Sequence, residues 1–391
     1  MPLKNIYAPG DCRMTENNAV NKKTRPCASR LSIGQGLFCL MSVLALALTF
    51  SHSELAISSM ANGMRLCTST VIPALFPFMV LSELIVSSGA AELVSRALGG
   101  IFQGIFGIRK EGCVAFLLGV LCGFPIGTKS AVSLYENGKI SKSELEHLIT
   151  FCNGPSSAFL ISAVGVSLFG SHRFGVMLYL AEIISAIITG IVGRFYFSHR
   201  KCAENSVVCG VKKKEREQTA LQSIVCAVTS SASSMLYICA FVVFFAAMTG
   251  ILGKYADSLG LPMSVRALML GFFEMTGGVS AASELPRNIS CLCAAAIVGW
   301  SGLSVHFQLV SLCADHKIAY RPYFFAKLVR GALDLILISA GLSIFYDRME
   351  FTNEFAPSFL SAPSLHPIHI VTLVAFCIGV IGKIRGLKNE I

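Results

Sequence analysis

Long apolar runs alternate with short polar segments along the whole chain. The clearest runs cover Leu37–Phe50, Val71–Ser88, Leu148–Leu168, Val176–Phe197, Ile224–Leu252, Ile289–Leu312, Leu328–Phe345 and Ile370–Ile381. They are of the order of the ~20 residues a helix needs to cross a bilayer. Two further segments, Cys113–Leu134 and Ala267–Glu284, begin in the same way and are then broken by "CGFPIGTK" and "FEMTGG". Before the first of them, "AELVSRALGGIFQGIFGIRKEG" repeats its apolar residues on one face and is flanked by Arg96, Arg109 and Lys110. It predicts a helix lying on the cytoplasmic surface of the membrane. Gly100 and Gly104 within it form a single G-x-x-x-G, a weak packing signal. The pattern predicts an all-α polytopic membrane protein.

The two broken segments decide the topology. If both cross the bilayer, ten spans result, and the loop lysines and arginines divide about 18 inside to 12 outside. The basic loop "SHRKCAENSVVCGVKKKEREQTA" then faces outward, against the positive-inside rule. If both enter and return on one side, eight helices cross and the division becomes about 24 to 6. Both termini and the basic loops then face the cytoplasm. Each broken segment holds two half-helices of about ten residues, which at ~1.5 Å per residue reach about the midplane. The expectation is therefore two re-entrant hairpins.

The order of crossing helix, hairpin, interrupted helix and crossing helix occurs twice. "FLLGVLCGFPIGTKSA" aligns with "LMLGFFEMTGGVSAA", and "FCNGPSSAFLISAVG" with "IVGWSGLSVHFQLVS", with the breakers at matching places. An odd number of crossings separates the copies, so the second is inverted and its hairpin enters from the opposite face. Inverted repeats with discontinuous helices are the signature of secondary transporters. The expected organisation is a basic leader over 1–35, a first membrane helix and outer loop over 36–67, and a first repeat over 68–197 with its hairpin at about 112–137. A basic loop over 198–221 leads to a second repeat over 222–347 with its hairpin at about 264–286. An outer loop, last membrane helix and basic tail fill 348–391.

Composition agrees with this solvent. Of 391 residues 54% are apolar and 14% charged, a balance that leaves too little polar surface for a soluble core of this length. The net charge of +10 sits in short segments between apolar runs, so its partner is the lipid bilayer, and no nucleic acid is implied. The 15 cysteines are scattered and lie mostly inside apolar runs, where Cys acts as a small hydrophobe; no metal site follows. "ALALTFSHSELA" offers no small-x-small cleavage site, so the first run reads as a membrane helix rather than a signal peptide. HExxH, a nucleophile elbow and suitably paired carboxylates are all missing from the sequence. The reading is of a protein that is not an enzyme and carries no cofactor.

Backbone that leaves the helix inside a bilayer must be satisfied by protein, water or ligand. The candidate substrate-binding residues therefore sit at the breaks. Gly123, Pro125, Gly127, Thr128 and Lys129 form the first tip, and Glu274, Thr276, Gly277 and Gly278 the second. Asn153, Gly154, Ser156 and Ser157 interrupt one following helix, Trp300 and Ser301 the other. Glycine permits sharp turns and close approach, and free amides at half-helix starts favour anionic or hydrogen-bonding groups. The Trp300 indole offers a face on which a ring can stack. Lys129 either meets Glu274 between the tips or snorkels to the cytoplasmic face. Glu83 and Glu182 read as proton or cation ligands, or as hydrogen-bonded helix contacts. Arg330 and Asp334, spaced i, i+4, read as an intrahelical pair near the cytoplasmic end. His306 reads as an interhelical hydrogen-bonder.

"GFPIGTKSAVSLYENGKIS" followed by "FCNGPSSAFLISAVG" resembles the nucleoside-recognition or Gate-domain membrane proteins, and among them the sporulation integral membrane proteins of the YlbJ type. The resemblance covers about Thr68 to Phe345. It implies the architecture of concentrative nucleoside transporters, with two re-entrant hairpins and two unwound helices around a central site. It also implies a place in spore cortex formation, and names no substrate. Two functions stand from this: a plasma-membrane transporter-like protein for a small polar, nucleoside-like solute with a coupling cation or proton, or a non-transporting scaffold of spore-envelope assembly. An oligomer is compatible with either.

Overall fold

The computed structural model describes residues 33–87, 90–204 and 220–345. The basic leader, most of the "KKKER" loop, the outer loop after 347 and the expected last membrane helix Ile370–Ile381 lie outside the described residues. The chain falls into two units, 1–47 and 48–391. Of the first, the described part is the start of α1 (Ile33–Ser51). All that follows concerns the second.

Every regular element among the described residues is helical. After α2 (Ser53–Leu66) and a π-turn over Cys67–Val71 come α3 (Ile72–Ser87) and α4 (Ala90–Phe106). The helix α4 is two-faced as its pattern predicts: Val94, Phe102 and Phe106 are buried while Leu93, Leu98 and Ile101 are exposed. Its inner face joins an aromatic cluster in which Phe106 stacks on Phe151 at 4.7 Å between ring centres.

Two helical hairpins follow the sequence's breakers. In the first, α5 (Gly112–Cys122) stops at Gly123, whose φ of 79° an L side chain rarely adopts, and α6 (Ile126–Glu136) starts after Pro125. The arms touch through glycine: a Cβ on Gly119 would lie 3.2 Å from the Gly127 Cα. In the second, α10 (Met263–Phe273) and α11 (Met275–Ser283) are parted by one extended residue, Glu274. Here Gly278 rests on the backbone of Gly271. Small residues let the arms of a hairpin approach closely inside a membrane.

Each hairpin is succeeded by an interrupted helix and then a long one. After the first, α7 (Lys142–Leu148) opens with a capping box, Ser141 and Glu144 exchanging bonds with each other's backbone. The chain unwinds over 149–156 and resumes as a π-helical stretch over Ala158–Leu168, then α8 (His172–Glu204). After α9 (Ala220–Ser258) and the second hairpin, α12 (Arg287–Trp300) breaks at Ser301 and Gly302, both at positive φ. It resumes as α13 (Leu303–Leu312) before α14 (Arg321–Phe345).

Among the described residues four stretches are long and apolar enough to cross a membrane: His172–Ser198, Leu221–Ser258, the broken Arg287–Leu312, and Arg321–Phe345. Their outward faces are greasy, with Leu180, Val192, Phe195, Leu236, Phe244, Phe325, Leu328, Ile336 and Ile344 exposed. Apolar surface on this scale is stable only against lipid. The charged side chains Lys327, Arg330, Asp334 and Glu182 are instead 0–3% exposed. The protein is an integral membrane protein with its polar groups inside.

Candidate functional site

The two helix breaks are tied together by a residue the sequence reading passed over. Lys327, on α14, donates from Nζ to the Asn153 carbonyl at 2.6 Å and to Ser301 Oγ at 2.9 Å. One lysine thus satisfies backbone freed by the first break and a hydroxyl at the second. Ser301 passes its own proton to the Val298 carbonyl at 3.1 Å. Arg330, one turn further along α14, also donates to the Asn153 carbonyl, at 3.1 Å, and its other nitrogen pairs with Glu182 on α8. The expected Arg330–Asp334 pair within one helix is therefore replaced by an interhelical Arg330–Glu182 pair. The Glu182 carboxylate accepts from the buried guanidinium across two helices through one oxygen, while Asp334 stays beside Gly299 of α12.

The hairpin tips close on these breaks. Gly123 abuts the backbone of Ser156, and the Phe124 amide donates to the Gly154 carbonyl at 2.8 Å. Thr128 donates to Asn153 Oδ1, and Asn153 Nδ2 donates to the Ile149 carbonyl at 2.8 Å. Ser156 Oγ accepts from the Phe159 amide at 3.2 Å, capping the resumed helix, and Ser157 faces the Leu121 carbonyl. On the other side a Cβ at Gly302 would lie 2.9 Å from the Met275 amide and 3.3 Å from the Glu274 Cα. Contacts therefore run without a gap from the first tip through Asn153, Lys327 and Ser301 to the second tip.

Lys129 does not meet Glu274. It donates to Ser231 Oγ at 2.9 Å and lies 3.7 Å from Glu83, so its partners come from α9 and α3. It is 8% exposed, too buried for the snorkelling alternative. The Glu274 carboxylate instead turns onto its own helix start, accepting from the Thr276 amide at 2.9 Å and the Gly277 amide at 2.6 Å. An acid at Ncap satisfies two orphan amides and complements the helix dipole. One Trp300 face is already taken, stacked on Phe272 at 5.3 Å and 5°, with the indole N–H on the Phe272 carbonyl at 3.0 Å. His306 is the interhelical hydrogen-bonder expected, 2.8 Å from the Tyr323 hydroxyl.

Open space is unequally shared. The voids beside the first tip are close to nothing: about 10 Å³ next to Gly154 and Glu182, and none at Pro125, Thr128 and Gln308. Beside the second tip lies a cleft of about 680 Å³ between α2, α9, α10 and α11. Glu274, Thr276 and Gly277 form part of its wall, with Asn62, Thr249 and Lys254 opposite. Arg266 and Asp257, paired at 3.2 Å, also line it. Of the expected binding residues, then, only those three reach the cleft; Gly123, Pro125, Gly127, Thr128, Lys129, Asn153, Gly154, Ser156, Ser157, Gly278, Trp300 and Ser301 do not line it. Among the described residues no group of three potential metal ligands occurs.

Lys327 was the missing piece, and a signal for it existed. Lys327, Arg330 and Asp334 fall at i, i+3 and i+7, one face of an otherwise apolar helix, and ionisable groups so placed inside a membrane point inward by default.

Comparison with known proteins places the chain among membrane proteins. No family model matches it. It is 26% identical over 321 residues to the sporulation integral membrane protein YlbJ of Bacillus subtilis (strain 168), across 75% of this chain and 79% of that one. A solved structure of a CNTnw variant in an outward-facing state superposes with a TM-score of 0.47 at 14% identity, over 80% of this chain and 86% of that one.

Proposed function

We propose that this protein binds a small polar solute at the second hairpin and is a transporter-like component of the membrane in sporulating cells. The observation that carries the reading is the 680 Å³ cleft against the self-capped tip of the second hairpin. A cleft of 300–1,000 Å³ suits one small molecule. Its wall combines a carboxylate at a helix start, an ion pair, an amide and hydroxyls with the apolar Leu55, Leu66, Val242, Ala246 and Leu270, a lining suited to a ring that carries hydrogen-bonding edges. Nucleoside-like solutes fit this chemistry, and similarity to a sporulation integral membrane protein supports the setting. In this reading the hairpins enter from opposite faces with both termini cytoplasmic, and movement of the second hairpin against α9 opens and closes the cleft.

The packed centre favours a second reading. With no free volume at the first tip, the protein acts as a scaffold that retains the fold without moving a solute. Uptake and equilibrium binding by the full chain in proteoliposomes, screened with nucleosides, metal ions and cell-wall precursors, separate the two. Saturable binding that is lost on filling the cleft, for example by Gly277→Trp, supports the transporter. A protein that stays folded and binds none of these solutes supports the scaffold.

A further inference from the structure

The charged residues around the two breaks do not all pair. Arg330 gives its two terminal nitrogens to Glu182 and the Asn153 carbonyl while its Nε has no partner, and Lys327 gives its ammonium to Asn153 and Ser301. Asp334 lies on the same face of α14, one turn beyond Arg330 and 1% exposed. Neither of its carboxyl oxygens accepts a hydrogen bond of normal geometry, and Glu182 Oε1 is also without one. The Ser185 hydroxyl, which faces Asp334, donates instead to the Glu182 carbonyl at 3.1 Å. From α12 Asp334 meets Gly299, which carries no donor side chain. The groups facing it are thus Glu182 and Ser185 from α8, Lys327 and Arg330 from its own helix, and Gly299.

An ionised carboxylate without a donor is among the costliest groups to bury. Four remedies exist: a side-chain partner, a water, a bound cation or a proton. The Lys327 ammonium and the terminal nitrogens of Arg330 are bonded elsewhere, and Arg330 Nε, though unpartnered, makes no hydrogen bond to Asp334. A metal ion would have to sit beside an ammonium and a guanidinium, and the void next to Glu182 and Arg330, about 10 Å³, barely admits a single water. A proton needs no room.

We propose that Asp334 is a proton-binding site whose occupancy sets the grip of Lys327 on the two helix breaks. Loading is a simple protonation: a carboxylate oxygen takes a proton from water and becomes a carboxylic acid, and no other bond changes. In the arrangement described here both cations are turned to the breaks and none to Asp334, which is the loaded form. Loss of the proton leaves a carboxylate that draws Lys327 and Arg330 toward itself, away from Asn153 and Ser301, and slackens the joint between the two halves. The site stands whether or not the cleft takes a solute, because its evidence is separate from the cleft.

Infrared difference spectroscopy of the full chain in lipid vesicles, cycled in pH, tests this directly. The sequence holds five aspartates, and of the described ones Asp257 and Asp315 are exposed. The expected result is a carboxylic-acid carbonyl band of a water-free environment, shifted by isotope-labelled aspartate and abolished in Asp334→Asn. Should Asp334→Asn fail to insert, Asp334→Glu serves: the band must then lose its sensitivity to labelled aspartate. A wild-type protein with no aspartate-sensitive acid band at any pH at which it remains folded overturns the proposal. So does a band that persists unchanged in either variant.

Discussion

The two hairpins begin from equivalent breakers and end in opposite conditions. At the first tip the freed backbone is met by protein: Gly154 accepts from Phe124, Thr128 serves Asn153, and the remaining space is essentially nil. At the second, the helix start is met by its own Glu274, and the outer side of the tip faces open volume. Self-capping is what allows the difference. A tip that satisfies its own amides needs no neighbour pressed against it, whereas one that borrows partners from the next helix is fixed to that helix. The first hairpin tip is therefore enclosed by the next helix, while the second, packed against Gly302 on one side, is open to the cleft on the other.

The largest effect should come from the glycines that hold the first tip shut. A side chain at Gly127 would drive into the Cys152 carbonyl and the Gly119 Cα, both backbone, so nothing can yield cheaply. Gly127→Val is expected to cost about 3 kcal/mol or more and to leave little protein folded in the membrane. Gly277→Ala at the second tip meets only the Glu274 carboxylate at 3.2 Å, and should stay within about 1 kcal/mol of wild type. Thermal unfolding of the purified variants in detergent reads both. Equal losses would erase the distinction between a closed and an open tip.

Next comes the clamp. Lys327→Met removes the hydrogen bonds to the Asn153 carbonyl and to Ser301 Oγ, and leaves the buried Ser301 oxygen without that donor. About 3 kcal/mol of destabilisation is expected. Because Lys327 touches both breaks, hydrogen exchange should rise at 149–157 and at 300–303 together. Exchange confined to one break would mean that the two halves are not coupled through this residue.

The sequence told much about the backbone and little about partners. Glycine and proline in the middle of apolar runs announced both hairpins and both unwound helices, because those residues act locally and a membrane exposes every departure from the helix. Pairing is a long-range property, and the sequence suggests Lys129 with Glu274 from pseudo-symmetry and Arg330 with Asp334 from their i, i+4 spacing. Neither holds. Pseudo-symmetry fixes which elements correspond, not which acid a base reaches, and Glu83 and Glu182 stand closer in space than their sequence positions suggest. Lys327 was overlooked because the apolar run was begun one residue later, at Leu328, which assigned the lysine to a loop. The cleft was illegible for a related reason, since most of its wall comes from α2 and α9, long helices that no proline or helix break marks out.

Lys129 offers a test of intermediate size. Lys129→Met strands Glu83, which is itself half-buried, and should cost about 2 kcal/mol. Glu83→Gln in the same chain should return most of that loss, since the stranded charge is then gone. A double variant no better than the single one would show that Lys129 matters for its bond to Ser231 and not for the ion pair.

The smallest change in stability should accompany the most informative change in the cleft. Glu274→Gln keeps the shape of the cap but presents an amide donor to one of the two amides that the carboxylate now accepts from, at 2.9 and 2.6 Å. One hydrogen bond and the charge at the helix start are lost, about 1 kcal/mol, visible as a slight fall in unfolding midpoint. The cleft, however, changes its balance. Asp257 and Glu274 now offset Lys254 and Arg266 among the lining residues, and the variant leaves the two cations in excess. A neutral solute that hydrogen-bonds to Glu274, such as uridine, should then bind at least about tenfold more weakly, while the accumulated amount of protein is unchanged. The paired control is Thr128→Val at the closed tip, which takes away the hydroxyl that serves Asn153 yet lines no open volume. It should lower stability and leave uridine binding as it was. If the two variants trade places, with binding lost at Thr128 and kept at Glu274, the solute site belongs to the first hairpin, and the open cleft is only the space in which the second one moves.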